Sequence, residues 1–228
     1  MLPFKIKSQK PLEEYSEEEL KSGALFLVDK PLDWTSFQVV NKLRGTIRRL
    51  HNIKKIKVGH AGTLDPLATG LLIICVGKKT KEIELFQGLE KQYSGTFVIG
   101  ATTPSFDLET EIEQRFLVDT IKEKDLQNAA ISLTGDIVQY PPVFSAVKID
   151  GKRAYESARK GEEVKLRPRT VNVKKFEIDI AEFPKSHCTI VCSKGPYIRS
   201  MASDFGKKLK NGAYLSSLRR ERIGEYSI

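Results

Sequence analysis

The chain has 228 residues, 40% of them hydrophobic and 29% charged, with 16 Gly and 10 Pro, so it can bury a core and is neither collagenous nor of low complexity. Its 38 basic against 29 acidic residues give a formal charge of +9, an excess that suits a polyanionic partner and carries no information about fold. The longest apolar run, Leu71–Val76, is far short of the roughly 20 residues that span a bilayer. The N-terminal segment lacks the apolar stretch of a signal peptide, so an intracellular, cytoplasmic protein without membrane contact is expected.

Residues 1–22 are polar and acidic and read as a loosely held arm ahead of one domain over residues 23–228. Ala24–Val28 predicts a buried strand. After Pro31, Thr35 or Ser36 can cap a helix whose inward positions are Phe37, Val40, Leu43 and Ile47. A basic linker runs to Lys57, followed by a loop over Gly59–Pro66 and a second buried strand over Leu71–Val76. Ile83, Phe86 and Leu89 suggest a helix, Tyr93–Ile99 alternates as a strand, and Leu126, Ala129, Ala130 and Leu133 mark another helix. Short strands are expected at Asp136–Tyr140 and Ser145–Ile149, a turn at Asp150-Gly151, and a short helix at Ala154–Lys160 stopped by Gly161. Val171–Ile180 and Cys188–Cys192 are β-rich. Gly195-Pro196 opens a helix with Ile198, Met201, Ala202, Phe205 and Leu209 inward. Strands and helices mix without strict alternation, which predicts an α+β fold with a mixed sheet.

The three cysteines, Cys75, Cys188 and Cys192, are odd in number and too few for a disulfide framework. His187, Cys188 and Cys192 lack a fourth ligand and lie on a strand pattern, so buried thiols are expected there and no metal. Charge is segregated. Lys42, Arg44, Arg48, Arg49, Lys54, Lys55 and Lys57 follow one another without an intervening acid, and Lys194, Arg199, Lys207, Lys208, Lys210, Arg219, Arg220 and Arg222 crowd the C-terminal part. Such territories read either as a nucleic-acid face or as solvated helix faces.

Gly59-His60-Ala61-Gly62-Thr63-Leu64-Asp65-Pro66-Leu67-Ala68-Thr69-Gly70 carries the most chemical information. An Asp before Pro stands on a constrained turn, which suits a carboxylate fixed at a strand edge, although the commoner meaning of the pattern is an Asx turn capping the next segment. No G-x-S-x-G, P-loop or H-E-x-x-H pattern is present, so those hydrolase and nucleotidase signatures are missing. An acting Asp65 would be an ionised nucleophile or base and would need a cation to keep it so in a closed pocket. Arg199, at the entry to a helix, is a candidate, with a phosphate contact as its alternative role.

The G-H-A-G-T-L-D-P-L-A-T-G-L-L run resembles the catalytic motif of TruB-type tRNA pseudouridine synthases, which isomerise the uridine of the TΨC loop. The likeness continues in order through Gly23–Pro31 with Thr35-Ser36, Lys91-Gln92-Tyr93 with Gly100–Thr103, Gln139–Lys148 with Gly151–Tyr155, Cys192–Arg199, and Leu218-Arg219-Arg220. It implies the pseudouridine synthase fold, a mixed and mainly antiparallel sheet with flanking helices and a central catalytic cleft. It implies Asp65 as nucleophile, Tyr93 packing on the target base and accepting a proton, and Arg199 paired with the aspartate. Substrate contacts are implied for His60, Tyr197, Leu218, Lys30 and Pro31. The partner is then tRNA through its TΨC stem-loop, at uridine-55, with no cofactor and no obligatory protein partner.

The chain departs from the family at Thr103-Pro104-Ser105-Phe106-Asp107, where many members have T-D-T-x-D, and at Ile228, where many continue into a small C-terminal RNA-binding domain. The catalytic domain is therefore expected to supply most of the grip, with basic residues at 42–57 and 207–222 on the RNA backbone. Three rivals remain open. One is an RNA-binding module without catalysis. Another is a synthase acting on ribosomal RNA or within a guide-RNA particle. The third is a carboxylate glycosidase using Asp65 with Asp29, Asp33 or Asp107, which needs two carboxyl groups about 5–9.5 Å apart.

Overall fold

The structure is a computed structural model that describes residues 2–145, 148–149, 152–153 and 166–228, the two short segments by backbone alone. The predicted turn at Asp150-Gly151 and helix at Ala154–Lys160 lie outside the described residues. Contacts divide the chain into two compact units, one of residues 1–93 with 218–228 and one of residues 94–217. Both divisions fall inside strands, Lys91–Ile99 and Ala213–Ile223.

In the first unit the apolar Ala24–Lys30 and Ala68–Val76 strands pair antiparallel from Ala24↔Val76 to Lys30↔Gly70. Val58–His60 adds to the second of these antiparallel, and residues 218–220 of Ala213–Ile223 pair with it parallel, so the sheet is mixed. The Ser36–Leu50 helix begins with a reciprocal cap between Thr35 and Gln38 and buries Val39, Val40, Leu43 and Ile47. Each of these side chains contributes about 1.5–3 kcal/mol by leaving water. Phe37, expected inward, is 64% exposed, because Val39 takes the core position at this end of the helix.

Residues 2–22 are not a loose arm. Ile6–Lys7 pairs with Leu27 and Val28, Ser16 and Glu19 form a capping box that starts the Glu17–Ser22 helix, and Leu12, Tyr15 and Leu20 are buried in the first unit's core.

In the second unit, Arg169–Asp179 pairs antiparallel with both Lys185–Cys192 and Gly135–Gln139. The Glu123–Ser132 and Ile198–Lys208 helices accompany this sheet. Phe97, Phe176 and Phe205 form a triangle of rings with centroids 5.7–5.8 Å apart. The expected strand over Ser145–Ile149 is described only at Lys148–Ile149, which pairs with Lys152–Arg153. Cys75, Cys188 and Cys192 are buried, and burial pushes the Cys75 thiol up to about 11 and the Cys188 thiol up to about 12. His187 sits with Nδ1 3.0 Å from Thr96 Oγ1 and Nε2 3.4 Å from Glu182.

Candidate active site

Asp65 stands on the loop between Val58–His60 and Ala68–Val76. It is half-buried, between buried Leu64 and exposed Pro66. The backbone around it is pinned at several points. Ser36, the first residue of its helix, accepts the Leu64 N–H at 2.9 Å and donates to the Leu64 carbonyl at 3.1 Å. The Asp33 N–H donates to the Pro66 carbonyl at 2.9 Å, and the Ala68 N–H to the Asp65 carbonyl at 3.1 Å. The loop thus owes its shape to neighbouring segments, which is how a strand-connecting loop can hold one side chain in a fixed pose.

Lys30 comes from the end of the antiparallel strand and is fully buried. Its ammonium donates to the carbonyls of Trp34 at 2.5 Å, Pro31 at 2.9 Å and Pro66 at 3.2 Å. Lys30, expected to contact substrate, grips the protein's own backbone with its side chain, and the half-buried Pro31 supplies one of the carbonyls it holds. Burial pulls the Lys30 ammonium down to about 8, against the opposing attraction of Asp65 and then Asp33. That attraction is mutual, so Lys30 favours the ionised form of Asp65.

Leu218 is brought beside the loop's end, directly opposite Ala68 in the parallel pair. His60 lies opposite Ile74. Its Nδ1 is buried without a hydrogen-bond partner among the described residues. Burial, then the Arg220 charge, lowers its pKa and so favours the neutral ring. Tyr93 is 8% exposed, at the edge of the same unit.

Arg219, Arg220 and Arg222 were expected on the RNA backbone, and each bonds to groups of the protein itself. Arg219 grips both oxygens of Asp29, at 2.8 and 3.1 Å, and Arg222 pairs with Glu90 at 3.0 Å. Arg220 is 1% exposed and donates from Nε to the Leu71 carbonyl at 2.8 Å and from Nη2 to the Gly62 carbonyl at 3.1 Å. Gly70 makes this approach possible. It has φ +97°, and a Cβ there would meet the Arg220 carbonyl oxygen at 2.4 Å.

Arg199 and Tyr197 belong to the second unit. Arg199 is 3% exposed, with Nη2 donating to the Phe144 carbonyl at 2.9 Å, Nη1 to the Ser105 carbonyl at 3.3 Å, and Nε 3.6 Å from Asp107. Tyr197 caps the helix that carries Arg199. Buried Gln139 fixes it through its amide, accepting the Tyr197 N–H at 2.7 Å and donating to the Tyr197 carbonyl at 3.1 Å. The Arg169 guanidinium lies 4.6 Å from the Tyr197 ring centre. Pro104, the family departure, takes the first corner of a turn closed by Phe106 N–H to Thr103 O at 3.1 Å. Its neighbours Thr103 and Ser105 are buried and bonded to the Asp107 carbonyl.

The sequence reading missed Ser36 as more than a cap, Gln139 as an anchor of Tyr197, and Arg220 as a buried clamp. The signal for Gln139 was a lone amide ending a strand pattern before Pro141-Pro142. Among the described residues no group of three or more His, Cys, Asp or Glu side chains gathers as a metal site would require. Nor is any helix among them long and apolar enough to cross a membrane.

The family profile described as TruB family pseudouridylate synthase (N terminal domain) matches residues 48–198, which include the Asp65 loop and the start of the Arg199 helix. The chain belongs to this family. A protein named tRNA pseudouridine synthase B from Flavobacterium johnsoniae is 52% identical over 92% of this chain and 93% of its own length. One of the same name from Phocaeicola vulgatus is 52% identical over 91% of this chain and 88% of its own length. Among solved structures, the crystal structure of a Cbf5-Nop10-Gar1 complex matches with TM-score 0.64 and 24% identity, covering 99% of this chain and 60% of that one. At that identity the likeness establishes the fold, which is the α+β pseudouridine synthase fold expected of a TruB family chain.

Proposed function

We propose that this TruB family chain isomerises uridine to pseudouridine in tRNA, at uridine-55 of the TΨC loop, with Asp65 as nucleophile. The observation that carries the reading is the Asp65 turn, pinned through Leu64 and Pro66 and set beside the buried Lys30 ammonium. The reaction breaks the N1–C1′ bond, turns the uracil, joins C5 to C1′, releases the C5 proton and leaves N1 to take up a proton in its place. No atom is gained and no electron is transferred, so its balance calls for no redox partner. A carboxylate can attack ribose C1′, assist elimination to a glycal, or add to uracil C6, and each route needs one ionised oxygen held against the nucleotide.

The target base must leave its stack, at a cost of a few kcal/mol that stacking and phosphate contacts offset. Tyr93 and Leu218 are the residues assigned to the uracil, and Arg199 to the carboxylate. Both oxygens of Asp29 are engaged by Arg219, which leaves it poorly suited to act as the second carboxylate of a glycosidase. The test is tritium release from tRNA labelled at uridine C5, with mapping of the product position. Release from position 55 by the wild type is expected, as is its loss in Asp65→Asn with RNA affinity retained. Turnover by that variant would overturn the assignment.

A further inference from the structure

Arg220 is the largest of the fully buried side chains among the described residues. Its two hydrogen bonds go to backbone carbonyls, and it has no carboxylate partner among the described residues. Burying a guanidinium without a counter-charge is costly, so what it holds in return is informative. It holds the loop that carries Asp65. The Gly62 carbonyl lies just before Asp65, and Leu71 lies in the strand that leaves the loop. The parallel ladder ends at Arg220↔Gly70, and the next carbonyl along, that of Leu71, is taken by the Arg220 side chain.

The register adds a second cation. Lys30, Gly70 and Arg220 are directly opposed on three adjacent strands, so they form one row across the sheet, with a glycine between two buried charges. Arg220 grips the loop at Gly62 and Lys30 grips it at Pro66. The two bonds bracket Asp65.

We propose that Arg220 is a positioning residue for the isomerisation, its forked guanidinium fixing the Asp65 loop from the sheet row that it shares with Lys30. The inference rests on the reading of Asp65 as nucleophile. A lysine at 220 keeps the charge but presents a single ammonium in place of a planar fork aimed at two carbonyls.

The experiment measures single-turnover tritium release, RNA affinity and urea unfolding for the wild type, R220K, R220M and D65N. In R220K, cooperative unfolding and RNA affinity are expected to persist while the rate falls about 10–100-fold, the scale of a misplaced reacting group. R220M should be slower still. Three results would overturn the proposal: an undiminished rate in R220K, a loss of affinity at unchanged rate (which would make Arg220 a phosphate contact), or failure of both variants to fold (which would make it purely structural). Failure of the underlying reading has a different signature, since the wild type would then release no tritium or D65N would retain turnover.

Discussion

The Lys30 ammonium is surrounded by three carbonyls, yet burial still outweighs them and pulls it down to about 8 from its ordinary 10.5. Below pH 8 the lysine is protonated in both folded and unfolded chains, and the penalty of burying its charge is fully present. Between pH 8 and 10.5 the folded chain sheds a proton that the unfolded chain keeps, so the unfolded state binds more protons and stability rises with pH. Urea unfolding of the wild type and Lys30→Met across this window is the check. The difference in stability should move in favour of the wild type with rising pH, by up to about 3 kcal/mol, and a constant difference would contradict the assigned burial. Residues of this kind are hard to read from sequence. Asp65 was singled out by the likeness of its glycine-rich run to a known catalytic motif, since the Asp-Pro step alone left an Asx turn open, whereas a lysine or arginine looks the same in the sequence whether it faces water or supports a loop. The internal partners of Lys30, Arg219, Arg220 and Arg222 were not legible for that reason.

At the level of elements, the first residue of the Ser36–Leu50 helix ties that helix to the Asp65 loop through two bonds to one backbone unit. Ser36→Ala leaves the buried Leu64 N–H and carbonyl without these partners. The expected loss is about 1–3 kcal/mol in unfolding free energy, together with a slower single-turnover rate and unchanged RNA affinity. An unaltered rate would separate the helix from the loop's positioning. The apolar runs Ala24–Val28 and Leu71–Val76 and the helix over Ile198–Phe205 were legible from period and composition. The Ala213–Ile223 strand was not, because its Leu218–Arg222 portion carries three arginines that bond to Asp29, Leu71 and Glu90, far away in the sequence. The Glu17–Ser22 helix had a readable signal, the Ser16-to-Glu19 capping box, which the surrounding acid run obscured.

Over the whole molecule, the excess charge resolves into two populations. Lys42, Arg48, Arg49, Lys54, Lys55 and Lys57 in the first unit, and Lys194, Lys208 and Lys210 in the second, are exposed. Arg220 is buried, and the partly exposed Arg219 and Arg222 are engaged by Asp29 and Glu90. RNA affinity should therefore depend on the first population. If six to ten phosphates are contacted, it should fall about 10³–10⁵-fold between about 50 and 200 mM salt. Lys54→Glu with Lys55→Glu should flatten that dependence while leaving the rate at saturating RNA intact. A salt response identical to the wild type's would remove the 42–57 segment from the interface. The sequence showed the basic excess and its clustering but not which cations were already engaged, since that depends on the register of the sheet.

The chain enters the second unit within one strand and returns to the first within another, so residues 218–228 complete a unit begun at the N-terminus. As the ribosome makes the protein, every residue of the second unit emerges before Leu218 and Arg220 are available. Until then the Asp65 turn has Lys30 and Ser36 to hold it but lacks its last fastener. A ribosome-bound chain that has not yet reached residue 218 is thus expected to carry an Asp65 turn held at fewer points than the folded chain provides.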